Sequence, residues 1–357
     1  MAGEALARPE DLERFLDALF RKLGMTAENA ARCAADLVLT NLWGIDSHGV
    51  LRLPVYAERL IGGAVTANPR IRTVAGRGAF EVMDGDAGMG FVVGHHAMGR
   101  AVDLAAKHGI GAVAVRNSNH FGAAGLYAKQ ATDAGYVALA TTNVMPNLVV
   151  SGGSAPITGN NPLAFGAPTR LGFPLLLDIS MSSVAGGKLL LAIEREEKIP
   201  LGWATDRDGR PTDDPSAGFA GFLLPVGGHK GFGLSLMIDV LCGVLSGGAF
   251  QHRLKSMYAA PEEPSLTCHL MVAIDPTVYL EREAYLDRMD ELYRTIKASP
   301  TWDPETRMLI PGELENETLG SRRKDGIPLP RNLLGKLDHL ADRLNCPRLT
   351  VASPGSE

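Results

Sequence analysis

The chain has 357 residues, enough to bury a large core, and it could form two or three domains or one large α/β unit. Hydrophobic residues make up 45% and charged residues 21%, and the formal net charge is −5. This balance favours neither nucleic acid nor an acidic membrane surface, so we expect a small-molecule partner.

The N-terminal part predicts two helices. Apolar residues fall on one helical face from Leu12 to Leu23, Gly24 ends that run, and Thr26 can cap a second helix over about residues 27–42. The helical pattern is then interrupted at residues 47–49. This start is charged and does not resemble a signal peptide.

Strands and helices alternate beyond Asn68, which predicts an α/β layer. The predicted strands are 79–85, 110–117, 136–143 and 270–276, and the predicted helices are 94–108, 126–134, 234–245, 280–298 and 333–344. The continuous apolar character of residues 110–115 and 136–140 indicates central strands that are covered on both faces.

Glycine and proline are dense from about residue 145 to 233, where the apolar content indicates ordered loops between short strands. We expect a helical domain, 1–72, joined by C-terminal helices within 300–346. An α/β region, 73–299, would bind cofactor and substrate, and a frayed tail would cover 347–357.

The cysteines have no short spacing and predict neither a zinc site nor a disulfide framework; they are Cys33, Cys242, Cys268 and Cys346. The longest apolar run, 234–250, contains Asp239 and several glycines, unlike a membrane span. We therefore expect a cytoplasmic protein with reduced thiols.

A histidine follows the strand 110–117 in the sequence SNHFG. In open α/β sheets this strand end is where ligands bind, and His120 could donate or accept a proton near neutral pH. The alternative is a turn histidine that bonds a backbone carbonyl.

A second polar group lies in DSHGVLRLPVY. His48, Arg52 and Tyr56 are four residues apart, so a helix would place them on one face, next to Ser47. Arg52 carries the planar fork that binds a carboxylate. The alternative is a solvated helix face with a capping serine.

Two glycine-rich stretches are candidates for nucleotide binding. The stretch 88–94 has G-x-G-x-x-x-G spacing and lacks the acidic residue of a Rossmann fingerprint, so that fold is rejected. The stretch 227–233, GGHKGFG, precedes a predicted helix, and Lys230 could meet a phosphate.

Metal binding and nucleophilic catalysis find little support. His95 and His96 are adjacent rather than in an HExxH pattern, and no GxSxG sequence occurs. We predict no metal site.

Several stretches in order resemble one family: SHGVLRLP, RNSNHFGAAGLYA, GNNPLAFGAP, GWATDRDGRPTDDP, GGHKGFGL and AIDP. The chain resembles the malate/L-lactate dehydrogenase family of the L-sulfolactate and ureidoglycolate dehydrogenase type, from about Leu12 to Pro328. The resemblance implies a non-Rossmann α/β fold with a mixed sheet and helical N- and C-terminal parts, and a homodimer.

The resemblance also implies interconversion of a 2-hydroxy acid and its 2-keto acid with NAD or NADP. His120 would be the general acid/base, and His48 and Arg52 would orient the substrate, with Ser47 and Tyr56 beside them. The implied cofactor contacts are Asp178, Ile179, Ser180, His229, Lys230, Gly312 and Glu313, with Asn143 and the loop 159–162 around the nicotinamide.

The chain departs from the family pattern at three places. Gly187 replaces an arginine, the sequence 266–269 (LTCH) replaces Asn-x-Gly-His, and Met181 replaces a small polar residue. These departures leave a binding protein without catalytic activity as one alternative. The resemblance itself leaves a reductase of cyclic imino acids as another.

Overall fold

The computed structural model describes residues 5–150 and 152–351. Its strands are β1 (Ala5–Ala7), β2 (Arg72–Arg77), β3 (Phe80–Gly88), β4 (Ile110–Ser118), β5 (Val137–Thr142), β6 (Leu163–Ala167), β7 (Leu175–Ile179), β8 (Ala204–Thr205), β9 (Phe222–Leu223), β10 (Thr267–Ile274) and β11 (Ile327–Leu329). Its helices are α1 (Pro9–Lys22), α2 (Ala27–Leu42), α3 (Leu53–Ile61), α4 (Gly90–His108), α5 (Gly125–Asp133), α6 (Gly186–Glu194), α7 (Pro215–Ala220), α8 (His229–Asp239), α9 (Arg282–Lys297), α10 (Glu313–Asp325) and α11 (Arg331–Arg343).

A mixed sheet lies at the centre of the described residues, with seven strands in the order β2-β3-β4-β10-β5-β6-β7. Strands β3 and β4 are parallel, and the other neighbouring strands are antiparallel. Within the sheet β10 lies between β4 and β5, and its His269 is paired with Val115 on one side and with Thr142 on the other. The predicted mixed α/β sheet is confirmed.

The central strands are buried on both faces, as their apolar sequences predict. Val113 and Val115 of β4 belong to a core that includes α4, whereas Ala114 faces a second core with Ile238 and Cys242. All three β4 residues are fully buried. A strand whose successive side chains enter two different cores needs apolar residues at every position.

The ends of the chain pack against each other. Strand β1 pairs with β11, α10 packs on α2, and α11 packs on α3. The predicted cap of α2 is confirmed, because Thr26 Oγ1 accepts a hydrogen bond from Asn29 N at 3.3 Å.

Arg322 of α10 holds the segment that follows α2. It donates to the two Asp46 carboxylate oxygens at 2.6 and 2.9 Å and to Asn41 O at 2.5 Å. The Asn41 side chain in turn accepts from Val50 N at 2.8 Å. This bidentate pair fixes two 3₁₀ turns that carry polar residues of the DSHGVLR segment.

Some predicted element boundaries were wrong. Helix α4 begins at Gly90 rather than at 94. Gly90 lies against the backbone of His120, where a Cβ would come within 2.3 Å of His120 O, so a glycine allows the helix to start there. Strand β10 begins at Thr267 rather than at 270. Helix α8 begins at His229 rather than at 234 and continues as a π-helical turn over Val240–Val244.

Helix α10 was missed because none of its residues is buried, so it has no apolar period to detect. The division into domains 1–72 with 300–346 and 73–299 stays a prediction. Of the predicted tail, residues 347–351 have no regular structure, and 352–357 lie outside the described residues. None of the described helices is both long and apolar enough to cross a membrane.

Leu266 provides a test of local strain. Its φ of 58° is in the left-handed region, which a leucine occupies at a cost and an asparagine tolerates. We expect Leu266→Asn to be at least as stable as the wild type, and about 1 kcal/mol more stable than Leu266→Ala, which keeps the strained backbone. Calorimetric melting of the three proteins measures this order; a less stable Asn variant would contradict it.

Candidate active site

The turn that carries His120 is held by its neighbour Asn119, which is buried. Asn119 Oδ1 accepts from Arg59 Nη2 at 2.9 Å and from Ser265 N at 3.0 Å. Asn119 Nδ2 donates to Ala87 O at 2.7 Å and to Gly88 O at 3.1 Å. One amide thus joins α3, the end of β3 and the segment before β10.

The His120 imidazole is oriented by Tyr56. Tyr56 Oη lies 2.6 Å from His120 Nδ1, and Gly122 N donates to the same nitrogen at 3.3 Å. An N–H donor at Nδ1 favours the neutral tautomer that carries its proton on Nε2. Tyr56 therefore orients the ring, whereas Asn117 Nδ2 donates to Asp84 Oδ1.

His48 and Arg52 lie beside His120, although not on one continuous helix as predicted. They belong to separate 3₁₀ turns, and only Tyr56 belongs to α3. The His48 ring stacks on the His120 ring with centroids 5.6 Å apart and planes at 21°. Ser47 Oγ lies 2.9 Å from His48 Nδ1, and Ser47 O accepts from Arg52 Nε at 2.6 Å.

The arrangement keeps both histidines neutral. Burial, followed by the Arg52 charge, lowers the pKa of His48 to about 4. Burial also holds the pKa of His120 well below 6.5, with further contributions from His48 and Arg52. Burial raises the pKa of the Tyr56 hydroxyl, so the phenol stays protonated. A neutral imidazole next to a guanidinium suits proton exchange with a bound anion.

A third histidine, His269, was not predicted as a site residue. It is fully buried, its ring stacks on Phe121 at 4.7 Å and 10°, and burial lowers its pKa to about 3. Its Nδ1 lies 2.7 Å from Thr142 Oγ1, whereas Nε2 has no partner within the described residues. The sequence does hold a signal for this residue, because the histidine of LTCH occupies the position of the histidine in the family's Asn-x-Gly-His pattern.

Asp178 lies at the end of β7 and reaches the His120 turn. Its Oδ2 accepts from Gly125 N at 2.7 Å, at the first residue of α5, and burial raises the Asp178 pKa to about 6. Ile179 is 40% exposed, and Ser180 Oγ lies 2.9 Å from Ser182 Oγ. The end of β7 is therefore joined to the start of α5, five residues after His120.

The segment after β7 also leads to α8. Met181 N donates to Asn160 O, and Met181 O accepts from Val226 N, at 3.0 and 2.9 Å. These bonds place the loop 159–162 and the start of α8 next to the end of β7. Met181 is fully buried in the second core, so its side chain replaces no cofactor contact at the surface.

His229 and Lys230 form the first turn of α8, and both are exposed. Within the described residues, no acceptor lies within hydrogen-bond distance of the Lys230 amine. A helix N-terminus with a free ammonium group fits a phosphate.

The remaining predicted cofactor residues are engaged with protein. Asn143 Nδ2 donates to Ala249 O at 2.9 Å, and its Oδ1 accepts from Cys268 N at 2.8 Å. Because both polar atoms of this buried amide are bonded to protein, it could contact a nicotinamide ring only by packing. Both Glu313 oxygens lie 2.6 Å from Lys297 Nζ. Gly312, at φ 92°, packs closely on the start of β7.

The other family departures are at Gly187 and in the segment 266–269. Gly187 is in the first turn of α6, and a Cβ there would meet nothing within 4 Å. Cys268 Sγ fills the space beside Gly248, where a Cβ would lie 2.4 Å from it. Among the described residues, no group of three or more His, Cys, Asp or Glu could hold a metal ion.

The sequence matches the family described as malate/L-lactate dehydrogenase over residues 7–338. The chain belongs to the malate/L-lactate dehydrogenase family. It is 39% identical to malate dehydrogenase of Pyrococcus abyssi over 96% of both chains. It is 33% identical to (2R)-3-sulfolactate dehydrogenase (NADP(+)) of Chromohalobacter salexigens, over 92% of this chain and 95% of that protein.

A solved structure shows the same fold. Sulfolactate dehydrogenase from Methanocaldococcus jannaschii superposes with a TM-score of 0.90 at 35% identity, covering 96% of this chain and 98% of that one. The non-Rossmann fold expected from the resemblance is therefore confirmed. Membership in the malate/L-lactate dehydrogenase family makes the chain an oxidoreductase of hydroxy acids.

Tyr56→Phe tests the orientation of His120. Without the hydroxyl, Nδ1 loses its strongest partner, and we expect kcat/KM for hydroxy acid oxidation to fall about 10- to 100-fold. Steady-state kinetics measures this fall. Tyr136→Phe is the control, because Tyr136 directly precedes β5, at the end of that strand opposite to Thr142. Activity within twofold of the wild type in Tyr56→Phe would contradict the orienting role.

Proposed function

We propose that the chain interconverts a small, malate- or lactate-like 2-hydroxy acid and its 2-keto acid, using NAD or NADP. The main support is the arrangement of His120, Tyr56, His48 and Arg52: an oriented neutral imidazole beside a guanidinium. Arg52 Nε donates to Ser47 O, and no described residue is hydrogen-bonded to the Nη1–Nη2 edge of the guanidinium. That edge matches a carboxylate.

In the proposed oxidation, Arg52 binds the substrate carboxylate and His120 Nε2 takes the hydroxyl proton. This step requires the neutral tautomer with its proton on Nδ1, donated to Tyr56 Oη, in place of the Nε2–H tautomer that Gly122 N favours in the free site. After the step the ring is an imidazolium. In the reduction, Nε2–H returns the proton to the keto oxygen. The nicotinamide, when bound, supplies the acceptor or donor of the hydride.

Tyr56 can serve both directions because a hydroxyl both donates and accepts. In the unliganded site it can donate to Nδ1, which leaves Nε2–H available to bond a keto oxygen. His48, neutral and stacked on the His120 ring, adds a second polar group beside the carbonyl without adding positive charge at neutral pH.

We infer that the cofactor lies along the end of β7 and the start of α8. The free Lys230 ammonium and the α8 N-terminus are suited to its phosphates, with His229 next to them. Asp178, Ile179 and Ser180 would contact it near α5, Asn143 would pack on the nicotinamide, and Gly312 and Glu313 would flank β7 from the other side.

We also propose a cytoplasmic homodimer. An apolar stripe on α8 and its π-helical extension is exposed, formed by Leu234 (52%), Met237 (51%), Leu241 (38%) and Val244 (52%). An apolar stripe of this size on one helix supports a contact with a second copy. The four cysteines are free thiols, which supports a reducing compartment.

His120→Ala tests the catalytic role. We expect turnover to fall at least about 10³-fold, because the proton has no other acceptor at that position, while cofactor binding is retained. A panel of 2-keto acids and cyclic imino acids with NADH and NADPH measures turnover, and thermal shift measures binding. His339→Ala, at an exposed residue of α11, is the control; wild-type turnover in His120→Ala would refute the assignment.

The pH dependence follows from the lowered pKa values. Oxidation requires neutral His120, so kcat/KM should be constant above pH 6.5 and fall only below an apparent pKa under 6.5. This apparent value belongs to the coupled pair His48 and His120. Arg52→Gln removes a cation, so it should raise the apparent pKa as well as KM. If kcat/KM of the wild type began to fall with decreasing pH already above pH 6.5, this prediction would be contradicted.

A further inference from the structure

We propose that the loop 255–265 lies beside the Arg52 guanidinium, and that Tyr258 at its tip determines which 2-hydroxy acids are accepted. This inference rests on the proposed function and deepens it. The proposed function assigns the substrate carboxylate to Arg52 but leaves open what limits the size of the rest of the acid.

The loop is a closed structure rather than a loose connection. Its ends meet where Lys255 N donates to Ser265 O at 3.0 Å. Within it, Ser256 Oγ accepts from Tyr258 N and from Ala259 N, both at 3.2 Å, and Ser256 O accepts from Ala260 N at 3.0 Å. These bonds fix the backbone on both sides of the Tyr258 ring.

The loop is anchored to the residues that hold the catalytic turn. Ser265 N donates to Asn119 Oδ1 at 3.0 Å, and Arg59 Nη2 donates both to Glu263 O at 3.0 Å and to Asn119 Oδ1. Arg59 is only 2% exposed, so this anchor is shielded from water. The position of the loop is therefore coupled to that of His120.

The tip of the loop contacts the substrate anchor. The Arg52 guanidinium carbon lies 5.6 Å from the centroid of the Tyr258 ring, within cation–π distance, although Tyr258 is 59% exposed. The guanidinium carbon thus lies over the tyrosine ring, and no described residue bonds the Nη1–Nη2 edge of Arg52, which remains available to a carboxylate.

This geometry has a steric consequence. A carboxylate binds in the plane of the guanidinium fork, so a substituent of the acid that projects toward Tyr258 meets its ring. Small acids fit beside Tyr258, and binding buries the ring further. Acids with longer side chains must displace the ring. Tyr258 is thus a specificity-determining residue that touches Arg52 rather than the reacting atoms.

The test uses the full-length protein and straight-chain 2-keto acids of increasing length. For Tyr258→Ala, we expect KM for the shortest good substrate to rise about three- to tenfold with kcat within about twofold, since proton and hydride transfer are unchanged. The kcat/KM ratio of the longest to the shortest acid should rise about tenfold. Tyr258→Phe keeps the ring and should match the wild type.

Tyr279→Ala is the matched control, because Tyr279 is 81% exposed and follows the opposite end of β10. An unchanged length preference in Tyr258→Ala overturns the inference, as does an equal change in Tyr279→Ala. A Tyr258→Phe variant as impaired as Tyr258→Ala also overturns it, since the hydroxyl rather than the ring face would then be responsible.

A binding measurement separates this inference from the proposed function. Calorimetric titration with oxamate, a carboxylate that is not turned over, in the presence of each cofactor should give a Kd about three- to tenfold weaker in Tyr258→Ala than in the wild type. If the wild type turns over no 2-keto acid but oxamate binding still depends on Tyr258, the proposed function fails and the loop assignment stands. Equal Kd values overturn the loop assignment whatever the turnover.

Discussion

The buried amide of Asn119 is the constraint on which the catalytic arrangement depends. Both of its ends are bonded to groups from distant parts of the chain: a guanidinium on α3, backbone carbonyls at the end of β3, and a backbone N–H just before β10. A buried amide that is fully bonded has only one low-energy orientation. The backbone of the next residue, His120, is therefore fixed before any ligand binds, and Tyr56 has only to set the ring.

The electrostatics of the centre follow from what surrounds that turn. Burial, together with the positive charge of Arg52, keeps the imidazoles of His48 and His120 neutral, and Arg59 adds a smaller contribution at His120. In the free protein the site therefore carries positive charge on its arginines, while its imidazoles are unprotonated at neutral pH. An anionic substrate offsets the positive potential as it binds, which favours the protonated form of the imidazole in the complex. Binding and proton affinity are coupled through the same guanidinium.

Much of this could be predicted from the sequence because it depends on local patterns. The period of Leu12 to Leu23, the Thr26 cap and the apolar strands 110–115 and 136–140 are local signals, and the ordered motifs identified the family. The Arg59–Asn119 bond, the stacking of His269 on Phe121 and the contact of Tyr258 with Arg52 join residues far apart in the chain. No spacing in one sequence encodes such pairs. Helix α10, without an apolar face, gave no period to detect.

The position of β10 has a consequence for how the protein is made. Strands β4 and β5 each pair with β10, so their inner edges remain unpaired until the chain has been synthesised beyond residue 274. Sheets closed by such distant segments fold slowly, because a long loop must be ordered before the contacts that stabilise it can form. An emerging chain therefore exposes two apolar strand edges while residues 143–274 are synthesised. Folding yield in the cell should then depend on translation rate and on chaperones that shield those edges more than on the stability of the finished protein.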